Sequence, residues 1–434
     1  MMEISGLILL LMFFLLLILN VPISFCIGMS TLVAMLFSID LLPAATTISQ
    51  RMVGGLDSFA LLAIPLFVLS GLLMGRGGVA TRLIECAMAL IGMLPGGLAL
   101  VNVISCTLFG GISGSAVAAT SAIGSFMIPE MEKKGYDRNF ATAVTAASAT
   151  TGMIIPPSNI LIIYAIASGG VSISALFIAG YLPGLLLAAS LGLVCFLYAI
   201  KNGSAREPVL PISIVAKKVI AALPSLLLIF IVIGGIIGGV FTATEAGAVA
   251  VLYSFILAVV VYKQVKRSEV MEICLKAGEI SAIVLLLIAA SSAMSWMLSY
   301  ENIPEIISST LLHISENPII ILLIINLILI IVGAFMDMTP AVLIFTPIFL
   351  PIAESLGMSP IHFGIMMVLN LSIGLCSPPV GAVLFVGCSV ANTSIEKIIK
   401  PMLPLYTAMF VALMLVTFVP AISEYLPRLF GLMN

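Results

Sequence analysis

The sequence predicts an all-α polytopic membrane protein with about ten transmembrane crossings and two re-entrant helical hairpins, in an inverted-topology repeat. Three observations lead there. Of 434 residues, 62% are hydrophobic and 8% charged, where soluble domains run near ~45–50% and ~25%. The mean hydropathy is +1.31. The 17 Lys and Arg residues gather mostly in clusters between apolar runs. Helix-breaking residues of the first half recur in the second at one constant offset.

A crossing needs ~20 predominantly apolar residues. Such runs lie at 4–22, 23–39, 56–75, 139–168, 175–200, 219–239, 244–262, 277–299, 363–390 and 401–420. The chain opens Met-Met-Glu without a basic n-region, so the first run is expected to remain as a span. Two longer stretches, 95–131 and 317–353, carry polar breaks at Gly110–Ser115 and Gly333–Pro340. Each half is then about 15 residues, roughly 22 Å of helix, which is short for a crossing. Both read as hairpins that dip to mid-membrane and return.

Charge tests the count. Basic residues cluster at Arg76/Arg82, Lys133/Lys134/Arg138, Lys201/Arg206/Lys217/Lys218, Lys263/Lys266/Arg267/Lys276 and Lys397/Lys400. Ten crossings with two non-crossing hairpins put all of these on the cytoplasmic side, as the positive-inside rule asks. The opposite loops hold Asp40, Glu301, Glu305, Glu316 and Glu354, with Arg51 the main exception, and both termini fall outside. A net charge of −2 lacks the basic footprint of a nucleic-acid binder. Seven Cys without a C-x-x-C pair read as small hydrophobes. Two His make a His-based metal centre an unexpected reading.

Sliding the chain by 222 positions pairs Gly111 with Gly333, Pro129 with Pro351, Glu132 with Glu354 and Gly135 with Gly357. The same shift pairs Gly152 with Gly374, Pro156-Pro157 with Pro378-Pro379 and Ser172 with Ser394. Five crossings per copy is odd, so the second copy is inverted, an arrangement typical of secondary transporters.

Adjacent prolines remove two amide donors and clash with the preceding turn, so the helices at 150–159 and 372–381 must break. Unwound backbone at membrane depth belongs in protein or against a wet cavity. Its carbonyls can ligate a small cation such as Na+, and the next half-helix can present its N-terminus to a carboxylate. Hairpin tip and break together make one candidate cation site from Gly111, Gly114, Ser115, Gly152 and Pro156. Their counterparts, Gly333, Asp337, Thr339, Gly374 and Pro378, make a second. Candidate contacts for an anionic substrate are Ser113, Ser115, Ser158, Asn159, Ser377 and Gly381. Asp337 is the acidic residue placed deepest in the membrane, where a charge costs ~2.5–3.5 kcal/mol on insertion scales. It can ligate a cation, carry a proton or cap the half-helix that Pro340 opens. Hydroxyls at Ser113, Ser115, Thr120 and Ser121 can equally bond back to their own helix. Thr242 and Glu245 have capping-box spacing. Segments 80–92 and 302–314 read as interfacial helices, and His313 and His362 as lone outer-face imidazoles.

With Gly110-Gly111-Ile112-Ser113-Gly114-Ser115-Ala116, the chain also carries Leu56–Phe67, Ile155-Pro156-Pro157-Ser158-Asn159, Phe241–Ala246 and Ser377-Pro378-Pro379. As a set, these resemble the large membrane subunit of tripartite ATP-independent periplasmic (TRAP) transporters, over essentially the whole length, with a lean toward the sialic-acid branch. The resemblance implies Na+-driven uptake of a carboxylate-bearing solute, sialic acid or a dicarboxylate, across a bacterial inner membrane. Two or more Na+ ions would couple, with no organic cofactor. It also implies a periplasmic binding protein, a small four-helix membrane subunit expected as a separate chain, and an elevator mechanism. Scaffold spans and a first arm helix would then occupy 1–92, and half of the transport domain 93–200. A cytoplasmic linker would follow at 201–218, the second scaffold and arm at 219–316, and the other transport half at 317–426. Two rivals differ in class. Gly111-Ile112-Ser113-Gly114 fits a rhomboid-like intramembrane serine protease, which needs a His beside the serine. A channel would conduct without an ion gradient or binding protein.

Overall fold

In the computed structural model, the described residues are 2–202, 208–315, 317–378 and 381–433. Arg206, Glu316 and Pro379 of the sequence reading lie outside them. Among the described residues every regular element is helical, and eight helices are long and apolar enough to cross a membrane.

Two apolar helices, α1 (Met2–Ile18) and α2 (Ile23–Leu36), lead into α3 (Leu41–Leu56). A 3-10 turn at Phe59–Leu62 opens α4 (Ala63–Arg76), and α5 (Val79–Ile91) turns one buried face inward. The first hairpin is α6 (Gly97–Ser113) and α7 (Ala116–Lys133), and the first broken helix is α8 (Arg138–Thr151) and α9 (Asn159–Ala167). Next come α10 (Ile173–Ala179), α11 (Tyr181–Asn202), α12 (Ile212–Ile237) and α13 (Ala243–Phe255), the last running on as a π-helical segment to Val261. Long α14 (Arg267–Tyr300) precedes α15 (Ile303–Ile314). The second hairpin is α16 (Pro318–Phe335) and α17 (Met338–Ser355), and the second broken helix α18 (Pro360–Gly374) and α19 (Ala382–Ala391). The fold closes with α20 (Ile395–Phe418) and α21 (Ala421–Leu429).

Local chemistry sets several starts. Asp137 accepts the Phe140 N–H at 2.8 Å to open α8, and Ser359 accepts that of His362 at 3.2 Å to open α18. Thr242 and Glu245 close a full capping box on α13. The two helices before the breaks form the centre: every residue of α8 from Phe140 to Thr151 and of α18 from Ile361 to Gly374 is buried. In α8 those residues are mostly Ala, Thr and Ser, which let neighbouring helices approach closely.

Helix starts recur along the chain. Ala116 and Met338 open α7 and α17, and Arg138 and Pro360 open α8 and α18, each pair 222 positions apart (338 less 116, 360 less 138).

Contacts tie some of the basic segments to one another. Arg82 lies 3.6 Å over the Tyr262 ring, Arg76 pairs with Glu272 at 2.7 Å, and Asn139 accepts from Thr393 at 2.7 Å. Elsewhere, Tyr164 donates to the Pro360 carbonyl and Ser38 to Glu301.

Four features differ from the sequence reading. The hairpin arms are 17 or 18 residues, not about 15, because helix continues through the glycines to within two residues of each tip. At ~26 Å an arm's length alone therefore does not separate a re-entrant half from a crossing. α3 and α21 appear where no helix was expected, since mixed polarity hid them. α12 begins at Ile212, seven residues before the expected span, with Lys217 and Lys218 in its early turns, where long side chains reach back to the polar zone. His362 is buried, its Nε2 2.7 Å from the Val416 carbonyl, not exposed.

Candidate functional site

Both hairpin tips face one cavity of about 540 Å³ at the centre of the bundle. Ser113, Gly114 and Ser115 reach it from the first hairpin, and Asp337, Met338 and Thr339 from the second. Asn159, the first residue after the first break, lines it too. Leu375 comes from the second break, Gly71 and Arg76 from α4, and Ile280 and Val284 from α14. Of its lining residues, Asp337 and Arg76 are charged, and Arg76 is paired with Glu272.

The tips solve one task differently. Gly114 is left-handed (φ 62°), a conformation that favours glycine, and Ser115 caps α7 by accepting the Ala118 N–H at 3.2 Å. Asp337 holds the matching position at the start of α17, with extended backbone, and its carboxylate lies against the Met338 and Thr339 amides without closing a well-formed cap. It is exposed to the cavity. Asn159 packs on the first tip: a Cβ on Gly114 would lie 3.0 Å from its Nδ2. Its Oδ1 is buried without a hydrogen-bond partner. Asp337, Thr339 and Asn159, residues that carry a carboxylate, a hydroxyl and an amide oxygen, thus line one cavity. Oxygen donors of this kind suit a hard cation. Ser113 hydrogen-bonds weakly to the Gly110 and Ser115 carbonyls (3.5 and 3.4 Å), and Thr120 donates to Ala116 at 2.9 Å.

The other candidates sit elsewhere. Ser158 is fully buried and donates to the Met153 carbonyl, tying the break together and leaving no hydroxyl for a substrate. Ser377 donates to the Ile373 carbonyl at 3.0 Å, and Gly381 is buried with its N–H on the Ser377 carbonyl. Neither lines the cavity. Gly152 and Gly374 mark close helix crossings. A Cβ on Gly110 would lie 2.9 Å from the Gly152 Cα, and one on Gly333 would lie 3.1 Å from the Gly374 Cα. Gly111 abuts the Ile155 carbonyl, 3.3 Å from its would-be Cβ. Pro156 is buried and Pro378 exposed, both outside the cavity lining.

Sequence reasoning missed the clasp that holds each hairpin to its broken helix. Asn102 donates to Thr145 at 2.7 Å, Thr107 and Thr151 meet at 2.6 Å, and Asn370 donates to Asn326 at 2.8 Å. All are buried. Polar residues inside apolar runs were the available signal. Gly71 was missed as well: a Cβ there would lie 2.6 Å from the Ser113 carbonyl, so α4 lies tight against the first tip.

The family model described as tripartite ATP-independent periplasmic transporter, DctM component, matches residues 10–422. The chain belongs to this family. As a large TRAP permease subunit it is a multi-pass membrane transporter, not an enzyme. It is 52% identical to the uncharacterized protein YgiK of Salmonella typhimurium, over 95% of this chain and 94% of that one. It is 40% identical to a C4-dicarboxylate TRAP large permease of Pseudomonas aeruginosa (87% and 88% covered). The sialic acid TRAP large permease of Vibrio cholerae is 38% identical (88% and 89%). The permease also shares its fold with the Alcanivorax borkumensis YdaH transporter, with a TM-score of 0.63 at 15% identity, covering 87% and 88% of the two chains.

Proposed function

We propose that this permease imports a carboxylate-bearing solute by Na+ coupling and an elevator movement of its hairpins and broken helices. The observation that carries this is the convergence of both hairpin tips and Asn159 on one cavity lined by the Asp337 carboxylate. Asp337, Thr339 and Asn159 would hold Na+ there. Ser113 and Ser115 of the first tip line the space left for the anion. Bound Na+ would offset the Asp337 charge and make the cavity receptive to a carboxylate.

The recurrence of helix starts at 222 positions supports an inverted repeat, hence ten crossings with hairpins entering from opposite ends. Taking the basic end as the cytoplasmic one supports termini on the periplasmic side, and membership in the family supports the bacterial inner membrane. The buried Asn and Thr bonds bind each hairpin to its broken helix, so the four elements can travel together. α14 supplies the fixed wall: Ile280 and Val284 line the central cavity, while Ile288 to Ser299 line a second cavity toward the opposite end. Membership in the family supports a periplasmic binding protein and a small membrane subunit as partners. Relatives named for sialic acid and for C4-dicarboxylates stand at similar identity, so identity supports neither solute over the other. A serine protease lacks its base, since His362 is engaged at Val416 and Ser113 at two carbonyls.

Thermal unfolding of the purified permease across Na+, K+, succinate and N-acetylneuraminate tests the proposal. Na+ should raise the midpoint where K+ does not, and at least one carboxylate should raise it further only with Na+ present. Equal stabilisation by K+ would remove the assignment of the ion.

A further inference from the structure

Arg51 breaks the positive-inside pattern, and the central cavity does not use it. It projects from α3 into the second cavity, of about 930 Å³, at the end away from the basic clusters. It is the charged side chain of that lining. Another basic residue at this end, Arg428, pairs with Glu424 at 2.8 Å. Arg51 has no carboxylate partner among the described ion pairs. Its guanidinium instead lies 5.4 Å over the Trp296 ring, which stacks on Tyr300 at 5.1 Å. A guanidinium laid on an aromatic face keeps its N–H edge free for a planar, bidentate acceptor. Close packing fixes the arrangement: a Cβ on Gly55, one turn from Arg51, would lie 2.5 Å from the Ser292 Cβ.

The facing wall offers hydroxyls. Ser291, Ser295 and Ser299 recur at i, i+4 on α14 and so share a face toward the cavity. Ser291 is 3% exposed, and its Oγ has no hydrogen-bond partner. A buried hydroxyl without a partner costs free energy, and here it borders a cavity whose charge is positive.

We infer that this outer cavity is a second carboxylate site. Arg51 takes the carboxylate on the Trp296 face, Ser291 and Ser295 complete its hydrogen bonds, and the solute is received there before it reaches the hairpin tips. The inference rests on the proposed transport of a carboxylate, and places its first contact on the scaffold, at residues that bind no ion.

Trp296 is the one tryptophan of the chain, so its emission reports on the site directly, with Trp296→Phe as the blank. Titrating the full-length permease with succinate and with N-acetylneuraminate should give a saturable change for at least one. Succinamide should give none, and replacing Na+ with K+ should leave the response intact. Arg51→Gln should raise the half-saturating concentration by about tenfold or more, Arg51→Lys by less, and Ser291→Ala should weaken binding with little change in stability. Silence with both carboxylates, an unchanged titration in Arg51→Gln, or an equal response to inorganic phosphate overturns the carboxylate site. Should Na+-dependent thermal stabilisation persist beside such a result, the second site alone falls. Loss of both means that the transport reading fails too.

Discussion

At positions 115 and 337 the chain faces the same demand, opening a half-hairpin helix beside a cavity, and answers it with different side chains. Ser115 spends its hydroxyl on the Ala118 amide, while Asp337 leaves its carboxylate to the cavity. Two outcomes follow at this scale. Ser115→Ala should cost about 1 kcal/mol of stability, the usual loss of an N-cap, read by denaturation with and without Na+, and Ser115→Asp should restore it. Asp337→Asn should raise the Na+ concentration for half-maximal thermal stabilisation by about tenfold, near 1.4 kcal/mol, with little change in the midpoint without Na+. A fall in that midpoint with Na+ dependence intact would mean that Asp337 serves the helix end. The sequence made Asp337 conspicuous because charge is so scarce. It did not reveal whether Ser158, Ser377 or Gly381 faced the cavity, because a hydroxyl's direction depends on which carbonyl lies nearest in the folded break.

Between elements, glycine and buried amides decide which helices pack as one body. Gly110 meets Gly152 and Gly333 meets Gly374 at backbone contact, so each hairpin's inner arm is seated on the last turn before a break. Gly152→Ala and Gly374→Ala should each cost roughly 1–3 kcal/mol by overpacking, seen as a lower unfolding midpoint, whereas alanine at Gly135 meets open space but pays for a left-handed φ of 86°. Asn370→Leu removes the bond to Asn326; interhelical hydrogen bonds in membranes average ~0.6 kcal/mol, so its main effect should be on uptake rate. Hairpins, breaks and most spans were legible because glycine and proline punctuate apolar runs. α3 and α21 were not, since helices that alternate polar and apolar faces over nine to sixteen residues give no continuous apolar signal.

For the whole molecule, the account joins two cavities along one wall. From Val284 to Ser295 along α14 is 11 residues, or ~16 Å at 1.5 Å per residue, which is the travel that the proposed elevator movement would ask of the hairpin tips. The 222-position offset at which the helix starts of α7 and α17, and of α8 and α18, recur was legible in the sequence because glycine and proline mark both copies. The outer cavity was not, because it forms where α3, α9, α10, α13, α14 and α17 meet, which no local pattern announces. Arg51 appeared in the sequence only as an exception to the charge rule. The central claim is that the converging tips couple a carboxylate to Na+. It is tested most directly by uptake of radiolabelled succinate or N-acetylneuraminate into proteoliposomes containing this permease and its small subunit. Uptake should require a loaded binding protein outside and an inward Na+ gradient, and should collapse in Asp337→Asn. Accumulation of both solutes driven equally by K+, or by the permease without its binding protein, would contradict it.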